Sequence, residues 1–360
     1  MEKRLILNSK IFKLSRICAV LVMLWAIPAI SFAQEKAASS ADKPYDPKAA
    51  IFEHIGDGHS WHVSFPFVKS VAIPLPVILY TDKGVEFFSS ANLHEGGIYH
   101  GKNDYLLVND KIKIADASGK IDTTKRVLDF SITRNVASMW MGMILLLIIF
   151  GSISSSYKKR VGKAPKGLQS FLEPLVVFVR DDVAIPNIGS KYGKYMTLLL
   201  TLFFFILINN LLGLVPFFPG GFNLTGNIAV TLSLSFIVLL VINFSGNKYY
   251  WKHIFAPDIP LWLYIIMVPV ELIGIISKPF ALMIRLFANI TAGHIIVLSL
   301  ISLIFIFNSL AVSPASVVFV VFMDTIELLV AFLQAYIFTM LTALFIGMAV
   351  QEHHGEQHEI

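Results

Sequence analysis

Beyond about residue 132 the hydrophobic positions of this chain fall in long blocks, broken by short polar or proline-rich turns. Positions 136–150 with their flanks, 195–214 and 227–244 each predict one membrane-spanning helix, because about 20 apolar residues at a 1.5 Å rise cross the hydrocarbon. Two longer stretches follow, 261–307 and 315–350. The first, about 47 residues, would run roughly 70 Å as a helix, more than twice the hydrocarbon thickness, and Pro269 and Pro279 are candidate breaks. A steeply inclined helix preceded by an interfacial approach segment is the economical solution. The segment GLQSFLEPLVVFVR (167–180) is too short and too polar at its ends to cross. It predicts an amphipathic helix lying on the membrane surface.

The first part of the chain has a different texture. A basic start, MEKRLILNSKIFKLSR, precedes an apolar run of about 14 residues and then Ser31-Phe32-Ala33, the pattern of a secretory signal peptide cleaved after Ala33. A polar tether follows (QEKAASSADKPYDPK), then short runs such as WHVSFPFV, SVAIPLPVILY and KIKIADASGKI, broken by Gly, Pro and Asp. These predict a small, mainly β domain. Its prolines Pro66, Pro74 and Pro76 point to edge strands rather than a deep central sheet.

Composition agrees with the block pattern. The 360 residues are 56% hydrophobic and only 15% charged, against about 45–50% and about 25% in soluble domains. Disorder, a disulfide scaffold and an ordinary soluble enzyme are excluded, and the lone Cys18 supports neither a disulfide framework nor a multi-thiolate metal site. The net charge of +5 raises the question of nucleic acid. The basic residues instead mark turns: Lys158, Lys159, Arg160, Lys163 and Lys166 follow the first span, and Lys248, Lys252 and His253 follow the third. The turns 216–227 and 308–314 carry neither Lys nor Arg. Alternating neutral and basic turns predict an exported N-terminus, five crossings and a cytoplasmic C-terminus, with no nucleic-acid partner.

The expected fold is therefore an all-α polytopic membrane protein with five transmembrane helices plus one interfacial helix, the last two helices long and inclined, and a small mainly-β exported N-terminal domain. Its divisions are a signal peptide at 1–33, an exported soluble domain with a flexible start at 34–132, a transmembrane domain at 133–350 and a cytoplasmic tail at 351–360. The histidines of HIGDGHSWH (54–62) and of QEHHGEQHEI (351–360) are irregularly spaced, and solvated loop residues are expected there rather than a metal site.

Candidate chemistry lies in the few ionisable residues inside the apolar blocks: Glu271, Lys278, Arg285, His294, Asp324 and Glu327, with amides Asn209, Asn210, Asn289 and Gln334. Such groups are costly in lipid and are functional candidates by default. Arg285 has no acidic residue within a helical turn on either side, so its permanent charge must be answered by another helix, another chain or water. Asn289, four residues on, shares its face, whereas His294, nine on, faces the opposite side. Asp324, Glu327 and Gln334 are spaced three and seven apart, which keeps each within about 60° of the next. A polar stripe of that kind facing a histidine describes a proton path, since imidazole and carboxylate trade protons readily. A fixed cation beside the path would stop ions crossing directly and would attract a carboxylate brought by a partner.

These residues closely resemble the a subunit of F-type ATP synthases. The resemblance rests on ISKPFALMIRLFANITAGHIIVL (276–298), LLVAFLQAYIFTMLT (328–342) and INNLLGLVPFFPG (208–220), and covers about 155–350. It implies a non-catalytic, ion-translocating stator subunit in a bacterial plasma membrane, working against a rotor ring of c subunits and held by peripheral-stalk b subunits. No cofactor is implied. By resemblance, Arg285 faces the rotor carboxylate, and Asn289 and Gln334 are its polar companions. His294 and Glu327 form the pair in the half-channel open to the exported side, with Asn210 nearby and Asp324 as possible lining. Glu271 is the acid of the cytoplasmic half-channel, with Ser277 a weaker lining candidate. An acid common in the family three residues after Asn210 is here Gly213. The signal peptide and exported domain are a departure from the family pattern. A self-contained secondary transporter or channel is the alternative, but it predicts internal repeats that are not seen. A membrane-embedded hydrolase would need HExxH or GxSxG, and neither occurs.

Overall fold

The computed structural model describes residues 47–48, 51, 55–65, 68–93, 97–108, 110–116, 120–122, 125–159, 164–215, 220–255, 260–307 and 313–351. The signal peptide, the polar tether up to residue 46, His54, Pro66, the side chain of His62 and residues 352–360 lie outside them. The chain divides into two compact units. One gathers Met1–Ser138, Leu212–Phe222 and Thr291–Leu329; the other gathers Met139–Leu211, Asn223–Ile290 and Val330–Ile360.

The first unit contains eight short strands among the described residues: β1 (Ser60–Phe65), β2 (Val68–Pro74), β3 (Pro76–Thr81), β4 (Gly84–Ser89), β5 (Ile98–His100), β6 (Asp104–Val108), β7 (Lys111–Ile114) and β8 (Leu128–Asp129). They pair antiparallel as β1-β2, β4-β3-β8 and β5-β6-β7. Alternation in PVILYT and KIKI turns Val77, Leu79, Ile112 and Ile114 inward, onto Phe88, Leu93 and Tyr105. Pro76 departs from the expected edge position, since β3 is the central strand of its sheet. It is tolerated because it is the strand's first residue and uses only its carbonyl, which accepts from the Ile132 N–H at 3.2 Å.

The same unit ties this domain to the first long helix, α1 (Arg134–Lys159). The Asp57 carboxylate accepts the Asn135 N–H at 3.1 Å, and the Arg134 N–H donates to Gly58 O at 2.9 Å. The Arg134 guanidinium also donates to Gly56 O. Backbone donors of a helical first turn have no partner within the helix, so the 56–58 loop satisfies them and places a negative charge at the positive helix end. Next to it, His59 Nε2 lies 2.8 Å from Asp129 Oδ2. Burial alone pushes the Asp129 carboxyl up, but hydrogen bonds from His59 and Ser131 together bring it below its ordinary value.

In the second unit, α2 (Leu168–Phe178) does not stop where the polarity of 167–180 predicts. It passes through a π-helical turn (Val179–Ala184), a single α-turn (Ile185–Ile188) and a 3-10 turn (Gly189–Lys191) into α3 (Tyr192–Leu214). Val179, Val183 and Ala184 are fully buried, so packing carries the helix through a stretch whose charges pointed to an end. Asn227 caps α4 (Ile228–Ser245), its side chain accepting the Ala229 N–H at 2.9 Å. The basic turn after it contains a short helix, α5 (Lys248–Phe255).

Two long helices complete the chain, α6 (Leu261–Phe307) and α7 (Ser313–Val350). Neither Pro269 nor Pro279 interrupts α6. Without water to take up freed backbone groups, leaving the helix costs more than carrying a proline inside it. Among the described residues, five helical segments are long and apolar enough to cross a membrane: Arg134–Lys159, Leu168–Leu214, Ile228–Ser245, Leu263–Ile304 and Ser313–Val350. The core of the second unit is built from Leu199, Phe203 and Ile206 of α3, Val238 of α4, Leu282 and Leu286 of α6, and Ala335 and Ile346 of α7.

Candidate functional site

In the first unit α6 and α7 bring His294 and Glu327 together. His294 Nδ1 lies 3.4 Å from Glu327 Oε2, and each side chain is only 11% exposed. Neither His294 Nδ1 nor Glu327 Oε1 has a hydrogen-bond partner among the described residues. The two groups are thus in contact without a hydrogen bond between them. The approach depends on a missing side chain: a Cβ on Gly293 would stand 2.6 Å from Glu327 Oε1. The other imidazole nitrogen faces Gly213, where an added Cβ would sit 3.9 Å from His294 Nε2 and 2.8 Å from Phe222 O. A side chain at 213 therefore has no room, and the imidazole occupies the neighbouring space. Asp324, one turn before Glu327, is half-buried.

The second unit holds the remaining candidates. Arg285 and Asn289 are exposed, one turn apart on α6, while Leu282, Met283 and Leu286 beside them are buried. Large apolar side chains, Ile276, Phe280 and Ile284, are exposed as well. Among the described residues no ion pair forms to Arg285. This surface suits an apolar partner that carries one negative group, because a lone guanidinium in lipid is strongly unfavourable. Gln334 is buried, unlike Arg285 and Asn289.

Asn210 is buried with both ends of its amide engaged: Oδ1 accepts from Thr225 Oγ1 at 2.6 Å, and Nδ2 donates to Ala331 O at 3.4 Å. That geometry makes it a strut from α3 to α7 and the 223–227 turn. Its neighbour Asn209 fills the space over Gly142 of α1, where a Cβ would meet the amide oxygen. Ser277 is exposed and its hydroxyl donates to Gly274 O at 3.3 Å. Lys278 places its ammonium 5.6 Å over the Phe345 ring. Glu271 is half-buried, and His253 Nδ1 of α5 lies 3.8 Å from its Oε1. Sequence reasoning uses His253 only as a marker of a basic turn. The signal that reveals it is the amphipathic spacing of KYYWKHIF, which puts Tyr250 and His253 on one face. Gly293 is silent in the sequence, and Gly213 stands out there only as the replacement of a family acid; the clearance each provides is not visible in either case.

A family profile described as "ATP synthase A chain" matches residues 136–347, and one described only as a domain of unknown function matches residues 50–130. Among curated relatives, the chain is 50% identical over 236 residues to ATP synthase subunit a of Chloroherpeton thalassium, covering 64% of this chain and 70% of that protein. It is 48% identical over 252 residues to ATP synthase subunit a of Chlorobium phaeobacteroides strain BS1, covering 67% and 73%. It is 44% identical over 242 residues to ATP synthase subunit a of Myxococcus xanthus, covering 64% and 77%. With the matched profile spanning more than half of its length, the chain belongs to the ATP synthase A chain family.

Proposed function

We propose that the chain passes protons through two offset half-channels that meet at a rotor carboxylate, with Arg285 keeping the two paths apart. The chain is the ion-translocating stator subunit of an F-type ATP synthase, a multi-pass membrane protein, and nucleotide chemistry belongs to other subunits of the complex. In the proposed path a proton enters from the exported side past Asp324, Glu327 and His294, with Asn210 bracing the helices, and loads the carboxylate of a c subunit. After nearly a full turn of the ring it leaves by Glu271 and Ser277 to the cytoplasm. Asn289 and Gln334 help to orient Arg285. Peripheral-stalk b subunits hold the chain against the turning ring. The domain at 34–132 stands on the exported side, the segment 167–180 lies along the cytoplasmic surface, and α6 and α7 are inclined. The basic turns after α1 and α4 support this orientation.

The observation that carries the reading is Arg285: a permanent cation exposed in the middle of an apolar helix, with no ion pair among the described residues. A protonated carboxyl arriving in lipid beside it is driven to ionise and so to give up its proton. Replacing Arg285 with alanine in the assembled synthase is expected to abolish proton-driven ATP synthesis while the subunit still assembles. Coupled synthesis at the wild-type rate in Arg285→Ala would sink the reading.

A further inference from the structure

The helix α5 is fixed in place from its first turn. Asn247, just before it, donates its backbone N–H to Ala349 O at 3.0 Å and its side-chain amide to Val350 O at 2.8 Å. Lys191 Nζ reaches the same Val350 carbonyl at 3.5 Å. The last carbonyls of a helix have no partner inside it, so these donors complete the end of α7 and anchor α5 to it. Tyr250 and His253 then share the face of α5 that meets Glu271. The Tyr250 hydroxyl is pushed up, first by burial and then by the negative charge of Glu271, which reports the same proximity. From α5 the groups facing Glu271 are thus Tyr250 and His253, and from α6 itself Lys278 lies two turns away, engaged with Phe345.

His253 differs from Glu271 in exposure: its side chain is 62% exposed, against 24% for the carboxylate. An ion pair so open to solvent, at 3.8 Å, contributes little to stability, so holding the fold together does not account for it. An imidazole with one nitrogen toward a half-buried carboxylate and the rest of its ring in water is arranged to hand protons across that boundary. Histidine is the side chain whose proton exchange is easiest near neutral pH.

We propose that His253 is the relay through which Glu271 exchanges protons with the surrounding water at the outlet of the channel. The inference rests on the reading of Glu271 as the acid of the cytoplasmic half-channel. In the synthesis direction the Glu271 O–H bond breaks as an N–H bond forms at neutral His253 Nδ1, leaving carboxylate and imidazolium. The imidazolium then releases a proton to water and returns to neutral, and nothing is oxidised or reduced. A small side-chain rotation or one bridging water closes the 3.8 Å gap.

The test uses the complete synthase in inverted membrane vesicles, whose outer face is the cytoplasmic one, and reads ATP-driven proton uptake per assembled subunit. Wild type, His253→Gln, His253→Asn and Glu271→Gln are compared in dilute buffer and again with imidazole added as a mobile proton carrier. The two His253 variants are expected to pump about tenfold more slowly in dilute buffer, less than for a buried relay because water competes, and to recover with imidazole. Glu271→Gln is expected to stay slow in both. Wild-type rates for the His253 variants in dilute buffer overturn the relay. So does slowness that imidazole leaves unrescued, which marks a structural role, or disagreement between the two variants. Full pumping by Glu271→Gln instead removes the reading of Glu271 on which the proposal stands.

Discussion

The chain contains two imidazole–carboxylate pairs of the same chemistry in opposite surroundings. His294 and Glu327 are 3.4 Å apart, each 11% exposed, held between two long helices that approach through Gly293. His253 and Glu271 are 3.8 Å apart, with the histidine 62% exposed on a two-turn helix. On the proposed reading, burial makes the first pair the more sensitive to displacement, because little of either side chain reaches solvent that could carry the proton instead. The proposed relay at the second pair stands where His253 is open to water, which would substitute for it in part. Proximity of an acid and a base is therefore common to both, and the surroundings set how much each matters.

That contrast is broken or sharpened by a graded series of substitutions. The largest effect is expected from Glu327→Gln, which removes the proposed proton-carrying group from a pair only 11% exposed. Proton-driven ATP synthesis should fall by about 100-fold or more; a loss no greater than that of Glu271→Gln would erase the contrast. Next comes Gly293→Ala, whose methyl group would press on Glu327 Oε1 and displace it while leaving every titratable group in place. A fall of about tenfold in synthesis is expected, since misplacement alone slows proton transfer. Asp324→Asn should cost less, about threefold, because Asp324 is more open than Glu327 and stands a turn away. Rates of proton-driven ATP synthesis in the same vesicles rank the three.

The smallest effect concerns the N-terminal domain. Its His59–Asp129 contact should contribute about 1 kcal/mol, so His59→Ala is expected to speed proteolysis of that domain slightly in the intact complex. Because the folded structure holds Asp129 below its ordinary value, its contribution is fully present above about pH 4 and is lost as pH falls through the lowered value. Protease resistance in wild type should therefore drop at acid pH, and less steeply in Asp129→Asn.

Hydropathy blocks located α4, α6 and α7 to within a few residues, because in lipid the backbone must satisfy itself and a helix is the direct way to do so, while α1 runs nine residues past Phe150, to Lys159. The misjudged places are those where packing outweighs local signal. Pro269 and Pro279 sit inside one helix, and charged Arg180, Asp181 and Asp182 lie in a π-helical turn whose other side chains are buried. At the candidate site, ionisable residues in apolar surroundings were legible because they violate the pattern: Arg285, His294 and Glu327 stand out against their neighbours. Gly213 was legible only as a departure from the family's acid, and Gly293 not at all, since a residue that acts by leaving space carries no chemical mark. His253 was hidden for the opposite reason, a charged-looking residue among other basic residues of a turn, and only the placement of α5 beside Glu271 distinguishes it.

The central claim is that Arg285 separates two proton paths, and proton leak with the rotor held still tests it most directly. In vesicles carrying the membrane sector with its ring cross-linked to the stator, an imposed proton gradient should persist in the wild type. Arg285→Ala is expected to dissipate it, because the barrier between the two paths is gone. A gradient held equally well by Arg285→Ala and wild type would contradict the account.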